Sequence, residues 1–228
     1  MHQEEHFEGS DFVRDVVIGM ADGLTVPFAL AAGLSGAVDS THIIITAGIA
    51  EIAAGSIAMG LGGYLSGRTE IEHYHSEEAR EYFEVEHFPD KERAEVKEIF
   101  AGYGLSEPLQ DKIVDELALN KKQYVDFMMR YELGLDKPEP NRARNSALTI
   151  GISYIVGGLI PLLPYVFCSS VHKGLLVSAA VTLLALLIFG YIKSRVTGQP
   201  PLKGAINTMI IGALAAGAAY VIAKMIQS

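Results

Sequence analysis

Two acidic residues stand in stretches that otherwise carry no Asp, Glu, Lys or Arg. Asp22 is alone in this respect between Val16 and Val38, and Glu51 between His42 and Ser66. A carboxylate inside a membrane-length apolar run costs several kcal/mol unless it is paired, hydrated or protonated. No Lys or Arg falls within the core of any such run. Arg14 is two turns before Asp22, near the boundary of its stretch. Pro27, five residues after Asp22, removes a backbone donor and can loosen a helix there. The pattern suits a carboxylate that binds a cation or a proton on an aqueous path. The competing reading is a protonated Asp bonded to a neighbouring helix. Met59 follows Glu51 by eight residues, a little over two turns, so both can face one side of a helix. A thioether beside carboxylates suits a borderline transition metal better than Mg²⁺ or Ca²⁺, which prefer oxygen shells. Most Met residues in membrane helices merely pack, so Met59 counts only together with the two acids.

A second set of candidates is strongly acidic. Glu77, Glu81 and Glu84 share one helical face, Glu92 and Glu95 are spaced i,i+3, and Met128 and Glu132 are spaced i,i+4. Like charges at these spacings destabilise a helix unless something positive lies between them. A bound metal ion would serve, and so would nearby Lys and Arg; a solvated acidic face is the plain alternative. His73, His75 and His87 could also ligate, although surface positions suit them equally. Glu70 with His73, Glu72 with His75 and Glu84 with His87 each spell ExxH, the spacing of di-iron sites in four-helix bundles. All three fall on one predicted helix, which is a weak pattern for an oxidase.

The elements that must hold these residues follow from the distribution of charge. Half of the 228 residues are hydrophobic, and five runs are long enough to span about 30 Å of hydrocarbon. They cover roughly 16–38, 42–66, 146–168, 174–192 and 204–223. Small residues recur in them, with Gly19 and Gly23 as GxxxG and GLGG at 60–63, as close helix packing in membranes requires. Buried helices of a soluble protein would need a polar shell that a chain this short lacks. Between Arg68 and Asp136 the character reverses, and 18 of the 27 acidic residues lie there. Glu, Lys, Arg and Leu abound and Gly and Pro are scarce, which favours helix. Three helices are expected, at about 68–87, 90–103 and 106–133, separated by Pro89–Asp90 and by GYGLSEP at 102–108. The expected fold is therefore an all-α membrane protein with five transmembrane helices and a three-helix acidic insert between the second and third. Its parts are a tail at 1–14, spans at 15–67, the insert at 68–140 and further spans at 141–228.

Sidedness comes from the basic residues. With the N-terminus in the cytosol, the insert and the 193–203 loop also face the cytosol. Sixteen of 18 Lys and Arg then lie inside, and only Lys173 and Lys224 outside, a positive-inside distribution. The formal charge of −9 argues against nucleic-acid binding. One cysteine, Cys168, excludes an intrachain disulfide and a CxxC-type zinc site. The acidic start, MHQEEHFEGSDF, does not read as a signal peptide.

The runs DVVIGMADGLTVPFALAAGLSGA (15–37) and AEIAAGSIAMGLGGYLSGRTE (50–70) resemble the first- and second-span signatures of the vacuolar iron transporter family. GISYIVGGLIPLLPY (151–165) fits as well, and the resemblance covers nearly the whole chain. It implies five spans, a cytosolic three-helix metal-binding domain, a homodimer, and export of Fe²⁺ from the cytosol in exchange for protons. Nodulin-like relatives lack the acidic insert, so the chain resembles the insert-bearing branch. The resemblance carries path roles onto Asp22, Glu51 and Met59, and metal-domain roles onto Glu81, Glu84, Glu92, Glu95, Met128 and Glu132. Asp15, at the inner boundary, is assigned a part in ion entry. Fe²⁺ is cargo and bound ion, no prosthetic group is expected, and Mn²⁺, Co²⁺ and Zn²⁺ remain compatible with the ligand types. No covalent chemistry is required, so the chain is not expected to be an enzyme. A membrane-anchored di-iron oxidase or storage protein, and a metal sensor without transport, are the alternatives. The short N-terminus favours a prokaryotic member in a cell membrane; a eukaryotic member would reside in a vacuolar membrane.

Overall fold

The computed structural model describes residues 11–227, so most of the expected N-terminal tail lies outside the described residues. Eight helices follow in order: α1 (Asp11–Ser35), α2 (Thr41–His87), α3 (Pro89–Gly102), α4 (Glu107–Ala118), α5 (Lys121–Tyr131), α6 (Arg142–Phe167), α7 (Val171–Val196) and α8 (Pro201–Gln227). Five of them, α1, α2, α6, α7 and α8, are long and apolar enough to cross a membrane. The described residues divide into two compact units, one of 11–65 with 143–227 and one of 66–142.

The larger unit turns apolar side chains outward. Ile57, Ile152, Leu163, Leu184, Ile211 and Leu214 are all exposed. Water does not tolerate so much contiguous apolar surface, and hydrocarbon does. Inside, the packing depends on glycine. A Cβ on Gly19 would lie 2.3 Å from the Ile150 carbonyl oxygen, and one on Gly23 2.4 Å from that of Tyr154. From α6, a Cβ on Gly157 would meet Leu24 N at 2.9 Å. Helices α1 and α6 are thus in backbone contact, the arrangement that small residues permit. The GxxxG pair is used within the chain, and so it is not evidence for a contact with a second copy. On α2, a Cβ at Gly55 would strike the Tyr154 ring at 2.5 Å, and one at Gly48 the Leu162 side chain at 2.4 Å. Phe28, Ala32 and Ala216 form a further buried cluster with side chains of α7. Pro27, Pro161 and Pro164 all lie inside continuous helices.

The smaller unit has two cores. Val96, Val114, Tyr124 and Met128 join α3, α4 and α5, and Tyr74, Val125 and Met129 join α2 and α5. Ion pairs Arg93–Asp115 and Lys97–Asp111 tie α3 to α4, and Lys121 reaches Glu86 at 2.8 Å. Two expectations are corrected here. The second span and the first polar helix are one helix of 47 residues, α2, because no proline interrupts 64–70 and the lone Gly67 is tolerated inside a helix. The helix expected over 106–133 is two, α4 and α5. Asn120 ends the first and caps the second, accepting from Gln123 N at 3.3 Å. Asn is a favoured N-cap because its side chain satisfies an orphan amide.

Replacing Gly23 with Ala places a methyl group against the α6 backbone, which cannot rearrange as a side chain can. The expected loss is about 1–3 kcal/mol or more, read as a lower thermal unfolding midpoint in detergent. Gly62→Ala, where nothing lies within 4 Å of the added atom, serves as the tolerated control. Equal behaviour of the two variants would disprove the close contact.

Candidate metal centre and membrane carboxylates

Helix α1 places Asp15, Gly19 and Asp22 along one stripe, since residues four and seven apart share a face. Asp15 is 3% exposed and Asp22 is partly buried. Helix α2 places Glu51, Gly55 and Met59 at successive turns, and Glu51 and Met59 are both partly buried. Because Gly55 has no side chain, the Tyr154 ring of α6 reaches past it. The Tyr154 hydroxyl donates to Glu51 Oε1 at 2.5 Å. Glu51 Oε2 is buried and has no hydrogen-bond partner. Gly23, the residue after Asp22, packs against the Tyr154 backbone. The two acids thus sit on helices that both meet Tyr154 of α6.

Tyr154 was missed by sequence reasoning. The available signal was its hydroxyl within the otherwise apolar run 151–165, since polar groups at membrane depth usually serve a partner. Glu51 and Met59 lie on one continuous helix, α2, as their eight-residue spacing requires.

In the smaller unit, Glu81 of α2, Glu92 of α3 and Glu132 at the end of α5 converge. One carboxylate oxygen from each lies within 4.8 Å of the others. Glu81 is 1% exposed and Glu92 is fully buried, whereas Glu132 is open to solvent. Glu81 Oε2 and both oxygens of Glu92 lack a hydrogen-bond partner. Three helices thus aim anionic oxygens at one point, an arrangement that repels itself unless a cation or protons intervene. Burial pushes the Glu81 carboxyl up to about 7 from an ordinary 4.5, and the charges of Glu132, Glu92 and Glu84 add to this. Burial, followed by Glu95, does the same to Glu92, which also reaches about 7. The Glu132 carboxyl is raised too, first by burial and then by Glu95.

Glu84 and Glu95 stand at the rim, joined by Lys91, whose ammonium lies 3.9 Å from Glu84 Oε2 and 3.0 Å from Glu95 Oε1. Met128 is fully buried and packs with Val96, Val114 and Tyr124. It lies one turn before Glu132 on α5. Tyr124, one further turn back, was also missed. Its phenol is buried without a hydrogen-bond partner. Burial pushes it up to about 12, with Arg93 opposing and Glu92, Glu132 and Glu95 reinforcing the shift. The i, i+4, i+8 spacing of Tyr124, Met128 and Glu132 was its signal.

The histidines stay apart from this centre. His73 and His75 are exposed and face Glu77 at 3.9 Å and Glu78 at 3.2 Å. His87 stacks on Phe83 with centroids 4.0 Å apart and places Nδ1 2.9 Å from the Phe83 carbonyl oxygen. Among the described residues the metal-type group is all carboxylate. Three converging carboxylate oxygens suit a hard or borderline divalent cation.

The raised carboxyl groups make a pH prediction of defined sign. Between about pH 4.5 and 7 the folded chain binds protons at Glu81 and Glu92 that the unfolded chain has released. Stability from these groups is therefore present at low pH and is lost as pH rises through about 7. In chelator, the unfolding midpoint of the full chain should fall by several degrees between pH 5 and pH 8. Glu81→Gln/Glu92→Gln should flatten that slope, and Mn²⁺ at pH 8 should restore the wild-type midpoint. A wild-type midpoint that does not fall over this range would contradict the assignment.

The family model described as VIT family matches residues 13–224. The chain is 56% identical over 227 residues to "Vacuolar iron transporter 1" of Tulipa gesneriana, covering all of this chain and 92% of that protein. It is 52% identical over 226 residues to "Vacuolar iron transporter 1" of Arabidopsis thaliana, covering 99% and 90%. To "Protein CCC1" of Saccharomyces cerevisiae it is 39% identical over 224 residues, covering 94% of this chain and 69% of that one. These relatives are plant and fungal and lend no support to the expected prokaryotic origin. With the profile matching across both units and identity above one half over the full length, the chain belongs to the VIT family.

Proposed function

We propose that this protein moves Fe²⁺ out of the cytosol in exchange for protons, as a homodimer. The observation that carries this reading is the pair of carboxylates in membrane-spanning helices, Asp22 beside the α1–α6 contact at Gly23 and Glu51 bonded to Tyr154. No Lys or Arg lies in the core of any span to act as a permanent partner. Two copies of Asp22, one from each protomer, supply the two negative charges that balance one dication. A carboxylate that gives up its metal must take up a proton or be left charged at membrane depth. Glu51, held by Tyr154 at one oxygen and open at the other, is the proton carrier. Met59, on the stripe of Glu51, biases the path against hard cations. Asp15 lies on the stripe of Asp22 and acts at entry.

The 66–142 unit is the collecting domain, on the cytosolic side by the distribution of basic residues. Glu81, Glu84, Glu92, Glu95, Met128 and Glu132 bind the ion there. Mn²⁺ fits the same donors. The membrane is vacuolar in a eukaryotic host, as the names of the relatives indicate for those proteins. The oxidase reading loses its main motif, since none of the three ExxH histidines joins the carboxylate group.

The test is Fe²⁺ uptake into proteoliposomes under an imposed pH gradient. Asp22→Ala should abolish uptake. Tyr154→Phe should slow it several-fold and weaken its dependence on the gradient, by freeing Glu51 from its donor. Glu81→Ala/Glu84→Ala should only slow uptake at low Fe²⁺. Wild-type flux through Asp22→Ala would overturn the mechanism, and flux indifferent to the gradient would overturn proton exchange.

A further inference from the structure

Lys91 touches the acidic centre more widely than a surface ion pair requires. Its ammonium lies 3.0 Å from Glu95 Oε1, 3.7 Å from Glu92 Oε1 and 3.9 Å from Glu84 Oε2. Three of the carboxylates assigned above to metal binding thus share one cation, and Glu92 among them is fully buried. The lysine side chain is itself 60% exposed, so its head can move into water on its flexible stem. Arg80 differs. Its closest partner is Glu77 at 2.7 Å, outside the assigned ligands, and it stands 4.0 and 3.8 Å from Glu81 and Glu84, about as far as Lys91's two longer contacts.

A divalent ion coordinated by Glu84, Glu92 and Glu95 would use the same oxygens that face this ammonium. Both cations cannot hold them at full strength, because they repel one another at such range and the lone pairs are limited. Resting on the metal-collecting role given to this unit, we propose that Lys91 is a tethered counter-ion that competes with the metal for Glu84, Glu92 and Glu95. It takes their charge when the ion departs and is displaced into solvent when an ion arrives. Its consequence is functional. A site of five glutamates and a methionine without a resident cation would hold a dication tightly and release it slowly. Lys91 lowers that affinity and lets the ion leave without exposing bare, mutually repelling carboxylates. Lys91 is thus a positioning residue that sets exchange, not a ligand.

The experiment uses the full chain in detergent, with Mn²⁺ as an air-stable probe followed by calorimetry and by the electron paramagnetic resonance of the free ion. Wild type, Lys91→Met and Lys91→Arg are compared, with Glu81→Gln/Glu92→Gln as the site control. Methionine keeps the stem and removes the charge, Lys91→Leu removes it without a thioether that could itself ligate and should behave as Lys91→Met does, and arginine keeps the charge. Loss of one rim ion pair predicts roughly three- to tenfold tighter Mn²⁺ binding by Lys91→Met, with slower release into chelator. Its midpoint in chelator should fall while the rise on adding Mn²⁺ grows. Lys91→Arg should stay near wild type in affinity. A Lys91→Met protein that binds Mn²⁺ as wild type does, or more weakly, overturns the counter-ion role while leaving the metal site intact. A wild type that binds no Mn²⁺, or binds it equally after Glu81→Gln/Glu92→Gln, overturns the metal site itself and the counter-ion with it.

Discussion

Withdrawing an ionised carboxylate from water costs several kcal/mol even after the surroundings relax, and this chain does so repeatedly. Asp15, Glu81 and Glu92 are all buried, and Glu51 has one buried oxygen without a partner. A core filled with apolar side chains of similar volume would be cheaper to build. The acids persist where a cation or a proton can reach them, and much of the remaining architecture positions them. In the larger unit that means packing α1 and α2 against α6, where Tyr154 holds Glu51. In the smaller unit it means aiming three helices at one point.

Close approach in the larger unit is a backbone matter. Gly19 and Gly23 bring α1 against the carbonyls of Ile150 and Tyr154, and Gly55 opens α2 to the Tyr154 ring. Any side chain at Gly55 would push the phenol off Glu51, so the hydrogen bond and the glycine are one feature seen from two helices. The smaller unit uses the opposite method. Its helices are spaced by full side chains, Val96, Val114, Tyr124 and Met128, and tied by ion pairs between helices. The carboxylates ride on the polar margin of that core.

Much of this was legible in the sequence, for identifiable reasons. The five long apolar helices follow from runs without charge, and the shared faces of Asp15 with Asp22 and of Glu51 with Met59 follow from helical period alone. What the sequence withheld was contact across elements. Nothing in the period of α6 says that Tyr154 rather than another residue meets Glu51, because the register between helices is set by glycines on three of them. Convergence of Glu81, Glu92 and Glu132 has the same character, since it joins residues up to 51 positions apart. The break at Asn120 was misjudged because good helix formers on both sides outweighed a capping residue followed three places later by Gln123. The continuity of α2 was misjudged in the opposite sense, by taking a change of polarity for a change of structure.

The two acidic sets also differ in the cations available to them, and the difference bears on direction. Around Glu84, Glu92 and Glu95 a lysine is at hand, so their charge can be met by the protein's own side chain at any moment. That suits a place where ions are gathered and exchanged with little barrier. Asp22 and Glu51 lie in helices whose cores contain no lysine or arginine. For them, apart from dipoles and the Tyr154 hydroxyl, the charges that can neutralise an anion at membrane depth must arrive from outside the helix cores. Mobile ions are the ready source: a metal ion or a proton. On the proposed transport reading, a pair of carboxylates in that position would alternate between the two species rather than hold either permanently, because neutrality must be kept each time one leaves. The proposed exchange of metal for protons would then follow from having left resident cations out of the spans, and a lysine introduced there would be expected to occupy the site for good.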